Sequence, residues 1–174
     1  PGGVEDLKEY VLELKGYKDH WVKNMNVESD TRWEYTYHGR LKAYGIWKEL
    51  QGGNSVEAGH FKIDQIQKVI DKLSAQPFTR QAQMITWMPN LDYDCYDPPC
   101  LQSLWYRLLY DEAGVGWLNC NVRFRSNDAW GASFMNMFGF IQFNRALIAD
   151  EVARRSGRPV ELGRLNWQAD SYHI

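Results

Sequence analysis

The tetrapeptide Asp97-Pro98-Pro99-Cys100 sets a thiol directly behind two prolines, whose fixed φ angles stiffen the approach to whatever follows. A nucleophilic cysteine needs a fixed direction and a nearby positive charge that favours thiolate. A buried structural cysteine behind a rigid turn satisfies the same pattern. A second segment reads Arg123-Phe124-Arg125-Ser126-Asn127-Asp128, followed by Asn136. The guanidinium fork of Arg125 and the hydroxyl of Ser126 suit a phosphate, and Asp128 and Asn136 carry groups that read a heterocycle edge. The same residues also suit a surface turn that caps the next helix. A third segment, Asp170-Ser171-Tyr172-His173, adds an imidazole. A single histidine is usually a surface or hydrogen-bonded residue, so its interest lies in its company.

These groups need elements to position them. Leu7, Tyr10, Val11 and Leu14 recur at helical spacing over 5–15, and Gly16 follows where a helix would stop. Residues 18–31 are polar and read as irregular, 32–41 as an aromatic strand or ordered loop, and 51–59, with its glycines, as a flexible connection. The clearest helix is 63–75, where Ile63, Ile66, Ile70 and Leu73 form one stripe before Pro77. A strand is expected over 82–88, a loop over 90–99, and two strands over 102–110 and 117–124 joined by a hairpin turn at 111–116. A long helix over 133–156 and an extended segment over 159–174 complete the chain. With no repeat or linker, this is one domain with helices layered on a mixed sheet.

The length of 174 residues allows one compact core. A net charge of −2 without a basic stripe gives no reason to expect nonspecific nucleic-acid binding. Three cysteines argue against a disulfide scaffold and for a reducing compartment, and Cys95 and Cys100 lack the partners of a zinc site, so no metal is expected. No apolar run is long enough to span a membrane and no signal peptide is visible, so a cytoplasmic location is expected. The chain starts Pro1-Gly2-Gly3 and ends at His173-Ile174 inside an extended pattern, which reads as a segment truncated at both ends. The aromatic fraction of 14%, with eight Trp, suits a core, an interface or a stacking pocket.

In order and spacing, the chain resembles the thymidylate synthase and pyrimidine hydroxymethylase family. The resemblance rests on Glu9, Ile63-Asp64-Gln65-Ile66, Pro77-Phe78-Thr79-Arg80, Pro98-Pro99-Cys100, Arg125-Ser126-Asn127-Asp128, Phe134-Met135-Asn136 and Asp170 with His173. It implies a three-layer α+β fold with a large mixed sheet. It implies that Cys100 attacks C6 of a pyrimidine nucleotide, that Arg125 favours the thiolate and touches phosphate, and that Ser126 binds phosphate. Asn136 reads the pyrimidine edge, Asp128 serves the ring network and the folate, and His173 contacts the ribose. Glu9 stands as the proton-handling carboxylate, with an exposed helix glutamate as its bland alternative. Tyr37 and Trp33 line the nucleotide and folate pockets. Arg80 crosses to a partner's phosphate site, which implies a homodimer, and the one-carbon donor is 5,10-methylenetetrahydrofolate, with no metal. Departures are Gln81 after Arg80, where a second Arg is common, Leu101 after Cys100, where His is usual, and one extra residue in Asp170-Ser171-Tyr172-His173.

The amide of Asn136 offers donor and acceptor together, which suits uracil better than a carboxylate would. The expected substrate is therefore dUMP, and the resemblance implies its methylation to dTMP. The alternative is hydroxymethylation of dUMP, dCMP or CMP by water capture of the same adduct. Two other classes remain: a non-catalytic nucleotide- or RNA-binding module, which does not need Cys100, and an aromatic-rich interaction domain, in which Cys100, Arg125 and Asn136 have no reason to converge.

Overall fold

The computed structural model describes residues 3–18, 35–52 and 55–174; Trp33 lies outside them. Helix α1 spans Val4–Leu14. It stops at Gly16, whose φ of 81° favours glycine and whose missing Cβ would lie 2.3 Å from His38 Nε2. His38 instead donates through Nδ1 to the Leu14 carbonyl at 2.9 Å, satisfying one of the carbonyls a helix leaves open. The aromatic segment expected to be strand or ordered loop turns helical at Tyr37–Lys42 (α2). The Thr36 hydroxyl accepts from the Gly39 amide at 2.8 Å and starts that helix.

The region expected to be a flexible connection is paired strand. Strands β1, Tyr44–Gly52, and β2, Ser55–Ile63, run antiparallel in continuous register from Tyr44 opposite Ile63 to Gly52 opposite Ser55. Helix α3, Gln65–Ala75, starts on Asp64, whose carboxylate accepts from the Gln67 amide at 2.9 Å. It buries Ile66, Val69, Ile70 and Leu73, the face its periodicity predicts.

The central sheet has the order β3-β4-β5-β6. Strands β3, Ala82–Ile85, β4, Leu101–Tyr110, and β5, Gly116–Asp128, are antiparallel neighbours. β6, Val160–His173, lies parallel to β5. A parallel pair needs a long crossover. Helix α5 (Ser133–Phe143), a π-helical turn (Asn144–Ala149) and helix α6 (Asp150–Ser156, with the short helix α4 at Pro89–Asp92 preceding it in the chain) supply that connection. One sheet face buries Leu104, Tyr106 and Leu108 of β4 and Leu118, Cys120, Val122 and Phe124 of β5, together with Phe140, Phe143 and Ile148 of the crossover. Tyr106 donates its hydroxyl to Asn144 at 2.7 Å, which pairs these two buried polar groups inside the core. Cys120 belongs to the core, its thiol pushed up to about 12 by burial. On the other face Leu109 and Trp117, directly opposite each other, are 46% and 42% exposed. The class is α+β, a mixed sheet flanked by helices.

Candidate active site

Cys100 stands one residue before β4, at the edge of a cleft of about 710 Å³ that it shares with Arg125, Ser126, Asp128, Asn136 and His173. The loop carrying it is clamped from β5. The Arg125 guanidinium donates to the Pro98 carbonyl at 2.6 Å and the Pro99 carbonyl at 3.1 Å. The Arg125 amide donates to the Cys100 carbonyl at 2.8 Å. A register shift between Leu101 and Ser103 follows immediately, as bulges do where a strand must re-aim a neighbouring side chain. Gln102 closes back on the Pro99 carbonyl at 2.8 Å.

The parallel pairing of β5 with β6 brings the second and third sequence segments together. Ser126 faces Ser171 and Asp128 faces His173 in register, and the Ser126 hydroxyl lies 3.4 Å from His173 Nδ1. Asp128 accepts from the Trp130 and Gly131 amides, each at 2.8 Å, which holds its carboxyl below the usual range. It thus opens the turn into α5 and lines the cleft at once.

The opposite wall is aromatic. Tyr37 sits edge-on to Phe124 at 6.3 Å, and its hydroxyl accepts from the Leu101 amide at 3.4 Å. Tyr35 donates to the Asp97 carbonyl at 3.2 Å and carries the Arg40 guanidinium 4.8 Å over its ring. Arg40 is held in turn by a buried two-point pair with Asp92, the shorter contact 2.7 Å. Burial is the main influence on the Cys100 thiol and raises its pKa; Arg125 opposes that, and Asp97 adds to it. The guanidinium therefore offsets burial in part, and the site holds a thiol whose ionisation depends on two flanking charges.

Glu9 does not line this cleft; its carboxylate pairs with Lys18 at 3.2 Å on the surface. The next residue does. Tyr10 and Glu13 both line the cleft from α1, and the Tyr10 hydroxyl donates to Asn136 Oδ1. Burial, with Tyr37 and Glu13 nearby, raises the phenol pKa. Asn136 Nδ2 reaches Asn127 Oδ1 at 3.3 Å. Tyr10, Glu13, Tyr35, Asp97 and Asn127 are among the lining residues that sequence reasoning did not put forward as site residues. The signal for the first two is the spacing of Asp6, Tyr10 and Glu13, which share one helix face and all line the cleft. Arg80 is exposed, away from the cleft of its own chain. Among the described residues no group of three or more His, Cys, Asp or Glu is placed to hold a metal ion, and no helix is long and apolar enough to cross a membrane.

Fold and cleft together define an α+β protein with a thiol held beside guanidinium, hydroxyl, carboxylate and amide groups. The chain belongs to the thymidylate synthase family, whose sequence pattern matches residues 7–174. It is similar to a Methanothermobacter marburgensis protein named "Putative thymidylate synthase", 32% identical over 80% of this chain and 50% of that one. A Methanocaldococcus jannaschii protein of the same name is 31% identical over 96% of this chain and 66% of its own. The chain thus spans about half to two-thirds of the length of these relatives. Thermostable thymidylate synthase A from Bacillus subtilis shares the fold, with a TM-score of 0.53 at 22% identity over 90% of this chain and 47% of that one.

Proposed function

We propose that the protein transfers a one-carbon unit to C5 of a pyrimidine nucleotide, most specifically converting dUMP to dTMP, through a covalent bond to Cys100. The observation that carries this reading is the convergence of Cys100, Arg125, Ser126, Asn136 and His173 on one cleft. Cys100 thiolate adds to C6, and the electron pair moves through C5 toward the C4 oxygen, so C5 becomes the nucleophile. Methylenetetrahydrofolate, as co-substrate, supplies the carbon and, for a methyl product, the hydride. After C5 bonds the carbon and loses its proton, the folate nitrogen leaves with the C–N electron pair and an exocyclic methylene remains. Hydride, or water for a hydroxymethyl product, adds to that methylene as the sulfur departs and the ring double bond returns.

Arg125 and Ser126 meet the phosphate, His173 the ribose, and Asn136 the ring edge. Gly131, Ala132 and Met135 line the cleft beside Asp128, an apolar strip that suits the flat rings of the folate. The same convergence favours an enzyme over a binding module, which has no use for a clamped thiol. It also leaves hydroxymethylation as the second outcome, because the two products differ only in what captures the exocyclic carbon. A homodimer with Arg80 contributed across the interface, in a reducing cytoplasmic setting that leaves Cys95, Cys100 and Cys120 as free thiols, completes the reading.

The test is mass analysis of nucleotide after incubation of the full-length protein with dUMP or dCMP and methylenetetrahydrofolate. A gain of one methylene on dUMP is expected. A gain of one formaldehyde unit would assign the hydroxymethyl product. No mass change on either nucleotide, with no adduct at Cys100, would sink the proposal.

A further inference from the structure

The hydrogen bonds around Asn136 run in one direction. Its Oδ1 accepts from the Tyr10 hydroxyl and its Nδ2 donates to Asn127 Oδ1. Both asparagines are nearly sealed, Asn136 at 8% and Asn127 at 3% exposure, and both line the cleft. The remaining group, Asn127 Nδ2, is buried with no partner among the described residues.

That orphan is informative, because a buried donor without an acceptor is rare. Turning the Asn127 amide over would not relieve it, since its Nδ2 would then face the Nδ2 of Asn136, donor against donor. Turning both amides would pair the orphan with Asn136 Oδ1 and have the Tyr10 oxygen accept from Asn136 Nδ2, but the Tyr10 hydroxyl proton would then need another acceptor. Burial and the nearby Glu13 keep that phenol protonated, so it remains a donor. The observed arrangement leaves one unmade bond at Asn127 and sets Oδ1 of Asn136 toward the phenol and Nδ2 toward Asn127. With Oδ1 engaged once and Nδ2 engaged once, the amide retains one lone pair and one hydrogen, in fixed order, for a ring edge.

We infer that Tyr10 is a specificity-determining positioning residue, which, together with Asn127, pins the Asn136 amide so that the cleft accepts one pyrimidine edge and rejects its complement. The inference rests on the nucleotide reading of the cleft. Uracil offers a C4 carbonyl and an N3–H and needs the amide in one order. Cytosine offers an amino group and a bare N3 and needs the reverse. A free amide would rotate to suit either ring, whereas a pinned one discriminates. The position of Tyr10 is itself set by Gly139 of α5, where a Cβ would come within 2.8 Å of the Tyr10 ring.

Equilibrium binding of dUMP and dCMP to the full-length protein tests this. Wild-type protein should favour dUMP, and Tyr10→Phe, which deletes only the hydroxyl, should reduce the affinity ratio by roughly threefold to tenfold, the worth of one hydrogen bond. The urea midpoint serves as the structural control. A ratio unchanged in a folded Tyr10→Phe protein overturns the inference and leaves the functional proposal standing. Should that variant fail to fold, Asn127→Ala removes the pin at the other end of the amide and must lower the ratio as well. Wild-type protein that binds both nucleotides equally overturns the pin alone; protein that binds neither overturns the pin and the proposed function together.

Discussion

At the scale of single residues, the thiol of Cys100 is governed by what stands on either side of it. Burial and Asp97 raise its pKa and Arg125 lowers it. Only the thiolate attacks an alkylating agent, so a raised pKa moves the reactive limb to higher pH. In the full-length protein, alkylation of Cys100 by iodoacetamide should therefore follow a limb above the ordinary thiol value of about 8.5. Asp97→Asn removes a charge that opposes ionisation, so the limb should move down and the rate at about pH 8 should rise. Arg125→Gln removes the charge that favours ionisation, so the limb should move up and the rate fall. Two variants that shift in the same direction would show that loop opening, not charge, controls the thiol. Arg125→Gln also weakens the two carbonyl contacts that fix the loop, each worth about 1.5–3 kcal/mol for a charged donor. Mass mapping of the alkylated cysteine should accompany the rates.

At the scale of elements, the site depends on how closely α1 lies against α5. A Cβ at Gly139 would stand 2.5 Å from Leu14 Cδ1 and 2.8 Å from the Tyr10 ring. Leu14 is almost fully buried and has little room to yield. Gly139→Ala gains up to about 1 kcal/mol in helix propensity but incurs roughly 1–3 kcal/mol of overpacking. The expected result is a net loss of about 1 kcal/mol in urea unfolding, together with weaker dUMP binding as Tyr10 is pushed from Asn136. A variant more stable than wild type with unchanged affinity would show that the two helices do not pack through this glycine. On the opposite wall, the buried Arg40–Asp92 pair does a similar positioning job. It ties α2, which carries Tyr37, to α4 and to the chain that leads into the Cys100 loop.

At the scale of the whole molecule, the outer face of the sheet is the feature a single chain leaves unexplained. Across β4 and β5, Trp105 lies opposite Asn121, Arg107 opposite Asn119 and Leu109 opposite Trp117. The Arg107 Nε is buried without a partner among the described residues, although large apolar groups beside it are exposed. Such a face suits a second copy of the chain, with aromatic and arginine side chains at its centre. At one end of it the Arg80 carbonyl accepts from the Trp105 indole at 3.0 Å, which puts Arg80 beside the surface a partner would cover. In the proposed homodimer, Leu109→Asp places a charge where the interface should be dry. Sedimentation of the full-length protein should show dimer for wild type and monomer for Leu109→Asp, with phosphate-dependent affinity falling in the monomer. A wild-type protein that sediments only as monomer would remove the shared-site part of the proposal.

The amino-acid sequence alone determined the elements whose periodicity is local. The stripe of Ile66, Ile70 and Leu73, the alternation along Leu118, Cys120, Val122 and Phe124, and the turn before Gly116 are each set by neighbours a few residues away. It also determined the thiol, because two prolines before Cys100 constrain the backbone whatever surrounds them. The parallel pairing that sets His173 beside Ser126 was decided by the tertiary structure, since it depends on a crossover of some thirty residues between β5 and β6, well beyond the dozen or so that a parallel connection needs. So was the choice between adjacent residues on α1. The resemblance pointed to Glu9 and not to Tyr10, but one helical step turns a side chain by about 100°. The close approach of α1 to Gly139 decides that Tyr10 meets the cleft while Glu9 meets Lys18.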